Sequence, residues 1–132
     1  MDKNYRALEL DKILEMVANE TTGEDAAEQA RKIKPVFTAA EARYLLEETD
    51  AAFVLMAKFG APSFYGLKNV TNALRRAQAG GGLGFRELLD IAGTLRAIRS
   101  LSQWHGKSEG MQNALSGRFT ILAPNKYLEE KI

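Results

Sequence analysis

The fold is indicated most clearly by residues 38–59, which read TAAEARYLLEETDAAFVLMAKF. Thr38 and Glu41 have the spacing of a capping box, in which the hydroxyl and the carboxylate each bind an amide left unpaired at a helix start. The apolar residues that follow recur every three or four positions, as on one face of an α-helix. This pattern predicts a helix from Thr38 to about Phe59. Its main apolar face comprises Ala42, Leu45, Leu46, Thr49, Phe53 and Met56.

The second half of this helix, residues 51–57, is apolar on every side and reads AAFVLMA. Because such helices are usually buried, we expect this stretch to form the centre of the core. The remaining helices are too few to cover it fully, so we also expect an exposed apolar patch that docks on another part of a longer protein. Self-association through that patch would follow, and a strictly monomeric species in concentrated solution would argue against it.

Helical periodicity and helix-breaking residues predict further helices on both sides of this segment. They span about 4–8, 11–20, 24–34 and 85–105, together with a short stretch that Asn69 or Thr71 can cap and that stops before Gly80. The signals beyond residue 106 are weaker, and they indicate a helix at 108–115, extended chain or coil at 118–122 and a last helix at 125–132. The helix at 24–34 places Ala26, Ala27, Ala30 and Ile33 along one side, a stripe of small residues that would let another helix approach closely. No long alternating pattern indicates a strand.

These elements predict an all-α fold, a multi-helix bundle. We assign residues 1–106 to one helical domain and residues 107–132 to a C-terminal extension of the same domain, cut off by the end of the segment. The Phe64–Tyr65 pair lies in a Gly- and Pro-rich loop and is expected to plug the core rather than form a contact surface.

Composition excludes several classes of protein. The 132 residues carry 18 Lys and Arg against 17 Asp and Glu, a net charge of +1, so no strong overall field attracts nucleic acid or an anionic membrane. Cysteine is absent, which excludes disulfides, thiolate metal sites and cysteine nucleophiles. The first residues are too polar for a signal peptide and no apolar run could span a bilayer. We therefore expect a cytoplasmic protein without a membrane partner.

A glycine cluster at residues 80–84 superficially resembles a nucleotide-binding loop. The phosphate-binding motif requires a lysine followed by Ser or Thr after its last glycine, whereas Phe85, Arg86 and Glu87 follow here. We interpret the cluster as a hinge between two helices, since glycine readily adopts the backbone conformation that ends a helix.

Side chains suited to catalysis lack recognisable partners. His105 is the only histidine, so a histidine or cysteine metal site is excluded, and nearby serines do not by themselves form a catalytic triad. Glu47, Glu48 and Asp50 could hold a divalent cation, but neighbouring residues on a helix point in different directions. We interpret them as a solvated helix face and Trp104 as an anchor packed at a helix end.

Two groups of basic residues are the candidate nucleic-acid contacts. They comprise Lys68, Arg75 and Arg76, and Arg96, Arg99 and Lys107. Arginine suits phosphate binding because its guanidinium binds two oxygens at once. Solvation or ion pairing within the chain is the alternative, and we favour it because acidic residues elsewhere supply equal charge.

Several short segments together resemble one known family. They read LELDKILE at 8–15, LLEET at 45–49, ALRRA at 73–77, GGL at 81–83, ELLDIA at 87–92 and TLRAIR at 94–99. In residue type and order they resemble the N-terminal segment of the MutS paralogue family with a C-terminal Smr domain, often called endonuclease MutS-two. The resemblance covers roughly residues 5–104.

The resemblance implies that this chain is the beginning of a longer protein. Such proteins start with core and lever helices and lack the mismatch-reading domains of their mismatch-repair relatives. They continue into a coiled-coil clamp, an ABC-type ATPase that uses ATP and Mg and dimerises, and a Smr endonuclease. They suppress homologous recombination, bind branched DNA or rescue collided ribosomes. No ATPase or nuclease motif lies in these 132 residues, so the resemblance assigns this segment no catalytic, cofactor or metal residue.

The leading hypothesis is therefore a noncatalytic helical scaffold whose partners are the rest of its own chain and, through the whole protein, DNA or the ribosome. A freestanding helical module that binds a partner helix in an apolar groove is the alternative. A small enzyme that uses His105 or the carboxylates is disfavoured, and loss of activity in His105→Ala would support it.

Overall fold

The computed structural model describes residues 3–111 and 113–132, and every regular element in these residues is α-helical. The all-α prediction is confirmed. The described helices are α1 (Lys3–Ala7), α2 (Leu10–Asn19), α3 (Glu24–Arg31), α4 (Ala39–Phe59), α5 (Thr71–Gln78), α6 (Phe85–Gly106), α7 (Ser116–Thr120) and α8 (Lys126–Lys131). None of them combines the length and apolar character that crossing a bilayer requires.

The chain forms two compact units, the first ending at Val36 and the second beginning at Phe37. The sequence predicted no division at this point. Helices α1, α2 and α3 belong to the first unit, and α4 to α8 belong to the second. Residues 107–132, assigned from sequence as an extension, therefore lie in the same unit as α4 and α6.

The first unit is held together by close packing of α2 against α3. Ala18 of α2 and Ala27 and Ala30 of α3 form its buried cluster, because side chains this small let two helices approach each other. The Arg31 guanidinium also binds the Glu15 carboxylate through two hydrogen bonds of 2.9 and 3.1 Å. The small-residue stripe predicted for α3 is thus confirmed at two of its alanines, whereas Ala26 and Ile33 are exposed.

The start signal of α4 is confirmed, with one difference in geometry. The Thr38 hydroxyl accepts a hydrogen bond from the Glu41 amide at 3.2 Å and donates to the Glu41 carboxylate at 2.6 Å. The carboxylate thus binds the hydroxyl, and not the second amide that a full capping box would satisfy. The helix ends at Gly60, whose φ of 77° is a conformation that favours glycine.

The expectation that residues 51–57 form the centre of the core is wrong. Among the described residues of α4, only Glu48 and Leu55 are buried, and Phe53 and Met56 are 72% and 45% exposed. The predicted main apolar face of α4 therefore faces solvent, and the opposite face packs within the unit. The expected exposed apolar patch is confirmed, because the other helices of the second unit cover α4 on one side only.

Helix α6 provides most of the core of the second unit. Its buried residues are Ile91, Ala92, Ala97, Leu101 and Trp104. Leu88, Leu95, Ile98 and Ser102 of this helix are half-buried. The indole Nε1 of Trp104 donates a hydrogen bond of 3.0 Å to the carbonyl oxygen of Gly60 and so joins the end of α6 to the end of α4. The interpretation of Trp104 as an anchor is confirmed.

The C-terminal predictions are partly wrong. Residues 108–111 and 113–115 form turns and irregular chain rather than a helix, and α7 occupies most of the stretch predicted to be extended or coil. Contacts of Phe119 stabilise this helix, because its ring stacks on His105 with centroids 4.4 Å apart and its centroid lies 5.8 Å from that of Trp104. No local sequence pattern reveals these contacts. The last helix, α8, is confirmed, and the Asn125 side chain caps it by accepting from the Leu128 amide at 3.0 Å.

The Phe64–Tyr65 loop does not plug the core as expected. Tyr65 is 91% exposed and Phe64 is 44% exposed. The loop is instead attached through its backbone. The Lys68 amide donates to the Thr94 hydroxyl at 3.1 Å, and a Cβ on Gly66 would lie 3.3 Å from the carbonyl oxygen of Gly93 in α6. Because Gly66 has no side chain, the backbone of the loop can approach α6 closely. Burial of the two aromatic rings is not what holds the loop there.

A glycine substitution tests this close approach. Gly66 and Gly80 have φ values of 90° and 84°, and of these two only Gly66 has backbone atoms within 4 Å of the place that a methyl group would occupy. Gly80→Ala should reduce the free energy of unfolding by about 1–2 kcal/mol through backbone strain. Gly66→Ala should reduce it by about 1 kcal/mol more, because the methyl group also presses on α6. Urea unfolding followed by circular dichroism measures both, and equal losses would contradict the close approach.

Candidate functional site

An ion pair with a buried carboxylate joins α4 to α7. The Arg118 guanidinium donates two hydrogen bonds of 2.8 and 2.7 Å to the Glu48 carboxylate, and the Tyr44 hydroxyl donates a third at 3.3 Å. Glu48 is only 8% exposed. The hydrogen bonds from Arg118 hold the pKa of Glu48 below its ordinary value. Glu48 therefore stays ionised and attaches α7 to α4.

The interpretation of Glu48 as part of a solvated face is wrong, although its neighbours Glu47 and Asp50 are exposed. The metal alternative is not supported either, since the described residues contain no group of three or more histidine, aspartate or glutamate side chains that could hold an ion. Sequence reasoning missed Arg118 because it lies 70 residues away from Glu48. No local signal connects two such residues.

A second carboxylate, Glu129 of α8, binds two arginines of α6. It accepts hydrogen bonds of 2.9 Å from both Nε and Nη2 of Arg99 and one of 3.2 Å from Nε of Arg96. The Glu129 side chain is 7% exposed. Hydrogen bonds from Arg99, and then Arg96, lower the pKa of Glu129 to about 2. This basic group is thus engaged in attaching α8 to α6.

A third ion pair closes the glycine hinge between α5 and α6. Arg76 binds the Glu87 carboxylate and also donates to the carbonyl oxygen of Gly82 at 3.2 Å. Glu87 in turn accepts from the Gly84 amide at 2.8 Å, and these contacts, led by that from Arg76, lower its pKa. A phosphate-binding loop directs its backbone amides at a bound anion. Here the Gly84 amide is instead bound to the Glu87 carboxylate of the same chain. The hinge interpretation of residues 80–84 is consistent with this geometry.

The six basic residues identified from sequence thus divide into two kinds. Arg76, Arg96 and Arg99 bind carboxylates within the chain, as the alternative of internal ion pairing predicted. Lys68, Arg75 and Lys107 are exposed, and none forms an ion pair with any residue in the described parts of the chain. Nucleic-acid contact stays a prediction, and these last three carry the available charge for it.

His105 has the surroundings of a packed aromatic ring. It stacks on Phe119 with an interplanar angle of 6°, and its Nε2 atom is buried without a hydrogen-bond partner in the described residues. The Ser108 hydroxyl donates at 2.6 Å to the main-chain carbonyl oxygen of His105, not to its ring. A general base must accept a proton from a positioned partner, and the described residues provide none at this ring.

The exposed face of α4 is the remaining candidate for binding. We call Ala42, Leu46, Thr49, Phe53 and Met56 the α4 seam. The seam borders a shallow cavity of about 500 Å³, which is lined by Ala39, Ala42, Arg43, Leu46, Glu47 and Asp50. Its apolar centre and charged rim have the character of a protein-binding surface rather than that of a catalytic pocket.

Comparison with known proteins agrees with the resemblance in the sequence motifs. A protein named endonuclease MutS2 from Clostridium botulinum strain Loch Maree is 33% identical over 126 residues, which cover 91% of this chain. The chain is similar to part of endonuclease MutS2. A second relative of that name, from Clostridium perfringens strain SM101, is 34% identical over 108 residues, or 82% of the chain.

The chain spans only a small part of these MutS2 relatives, 16% of the first and 14% of the second. No family model and no solved structure matches the chain. The similarity therefore concerns one segment, and that segment is the helical region described above.

The low pKa of Glu129 gives a testable pH dependence. Because its pKa is about 2 in the folded chain and 4.5 ordinarily, its stabilising effect is complete above pH 4.5 and is lost as the pH falls from 4.5 towards 2. We expect the melting temperature of the parent chain to fall over that window, and the fall to be smaller in Glu129→Gln. Glu109→Gln, which changes an exposed carboxylate, is the control. Identical pH profiles for the parent chain and Glu129→Gln would show that the ion pair does not stabilise the fold.

Proposed function

We propose that this chain serves as a noncatalytic helical scaffold in a MutS2-like protein, carrying structural change between parts that perform chemistry. The observation that carries the proposal is the similarity of 91% of the chain to a segment of proteins named endonuclease MutS2. The all-helical fold supports it, because packed helices with two possible arrangements can transmit a movement over a distance.

The use of the ionisable groups also supports a scaffold role. Glu48, Glu87 and Glu129 all bind arginines that lie on other helices. Catalytic carboxylates need access to a substrate, and these three are instead engaged in holding helices together. In the described residues these three carboxylates attach helices to one another, whereas an active site would need reactive groups that a substrate can reach.

The activities of the whole protein belong to the same proposal. We propose that the longer protein is an ATPase that uses ATP and Mg, dimerises, and cleaves nucleic acid, with branched DNA or a stalled ribosome as the target. In this view the segment itself binds neither nucleotide nor metal, and the protein works in the cytoplasm. The name shared by the relatives, endonuclease MutS2, supports the nuclease assignment for the whole protein.

A chimera tests the scaffold role. The matched segment of the Clostridium perfringens relative would be replaced by this chain, and ATP hydrolysis and branched-DNA binding would be measured. We expect the chimera to keep both activities, and deletion of the segment to abolish them. Arg118→Ala, which breaks the ion pair with Glu48, should reduce both activities, and Lys58→Ala on the exposed side of α4 should not.

The isolated chain provides the converse test. We expect neither ATP hydrolysis nor DNA cleavage from it, because its reactive side chains lack catalytic partners. DNA cleavage by the isolated chain that is lost in His105→Ala would contradict the scaffold role and support a small enzyme instead. A freestanding interaction module is the second candidate, favoured by the exposed α4 seam, and retention of activity by the deletion variant would support it.

Salt dependence tests the available basic residues in the chimera. If Lys68, Arg75 and Lys107 bind phosphates, each substitution by alanine should reduce the slope of log affinity against log salt by about 0.9, because fewer counterions are released on binding. Arg76→Ala is the matched control, because that guanidinium is bound to Glu87 and should affect stability more than the slope. A slope that is unchanged in the triple alanine variant would rule out a nucleic-acid role for these three residues.

A further inference from the structure

The α4 seam has the spacing of a coiled-coil interface. Successive members lie four, three, four and three residues apart, which is the heptad repeat that aligns apolar side chains along one line of a helix. Leu46, Phe53 and Met56 are 69%, 72% and 45% exposed. Glu48 and Leu55, on the other side of the helix, are buried. The helix therefore packs within its own unit on one side and presents an unoccupied heptad on the other.

We propose that the α4 seams of two copies of this chain pair antiparallel to form a dimer. One antiparallel register of the heptad places Leu46 of each copy opposite Thr49 of the other. The same register places Ala42 opposite Phe53, and Ala39 opposite Met56. Each large side chain then meets a small one, and the shallow cavity beside Ala39 and Ala42 receives part of the partner's apolar surface.

The charges beside the seam select this orientation. Arg43 and Asp50 occupy equivalent flanking positions of the heptad, and within the described residues neither forms an ion pair in its own chain. In antiparallel helices such flanking positions face each other, so Arg43 of each copy would face Asp50 of the other. One dimer would therefore contain two of these ion pairs. On the opposite flank Leu45 would meet Ala52. A parallel pair would place Asp50 against Leu45 and would form neither ion pair.

A charge-reversal experiment tests the pairing. In Arg43→Asp the facing positions are both acidic, and in Asp50→Arg they are both basic, so each variant alone should dimerise roughly tenfold more weakly than the parent chain. An equimolar mixture of the two variants restores both ion pairs and should dimerise like the parent. Sedimentation equilibrium over a range of concentrations measures all four samples. A mixture that is no tighter than the separate variants would contradict the proposed register.

A matched pair of aromatic substitutions tests the surface itself. Phe53 and Phe85 are 72% and 81% exposed, and only Phe53 belongs to the seam. Phe53→Glu should weaken dimerisation at least about tenfold, since a buried aromatic side chain commonly contributes this much to an interface. Phe85→Glu should leave dimerisation unchanged. Both variants should keep the helical circular-dichroism signal of the parent because neither ring is in the core.

Cross-linking distinguishes the orientation and the occupant. Because the chain has no cysteine, single substitutions give an unambiguous result. A mixture of Leu46→Cys and Thr49→Cys should form the mixed disulfide, Leu46→Cys alone should form little, and Lys58→Cys should form none. Efficient cross-linking of Leu46→Cys alone would show parallel pairing and overturn the proposal. A parent chain that stays monomeric at millimolar concentration would also overturn it.

Discussion

The second unit depends on the ion pair between Glu48 and Arg118. Removing a carboxylate from water is costly unless it finds close partners, and here two short hydrogen bonds from Arg118 and one from the Tyr44 hydroxyl provide them. Without Arg118 the Glu48 carboxylate would keep only the 3.3 Å hydrogen bond from Tyr44. The pair lies, with the buried Leu55, on the face of α4 that turns inward, and the apolar seam lies on the opposite, exposed face.

The position of α7 follows from the same contact. Arg118 and Phe119 are consecutive, so that one residue of this five-residue helix binds α4 and the next packs on α6. A helix this short has little stability of its own, and its tertiary contacts must supply the rest. Helix α8 repeats the arrangement through Glu129 and two arginines of α6. Short helices bound by charge thus complete a core that α6 alone could not enclose.

The sequence was sufficient for what local chemistry determines. Periodicity, the capping box and the glycine hinge predicted the long helices, and the small-residue stripe predicted the packing of α3. Which face of α4 is buried could not be predicted in the same way. Apolar periodicity shows that a helix has an apolar face, but not whether another part of the chain covers that face. The carboxylates were misinterpreted for a related reason. Glu48 resembles its exposed neighbour Glu47 in sequence, and only the folded chain brings Arg118 to one of them.

The anchoring of Trp104 has a practical consequence. It is the only tryptophan in the chain, it is 9% exposed, and its indole donates to the carbonyl that ends α4. Its fluorescence emission therefore arises from one place, the point where the two long helices of the second unit meet. A red shift of that emission would report the separation of α6 from α4 without any added label, including in a chimera from which other tryptophans had been removed.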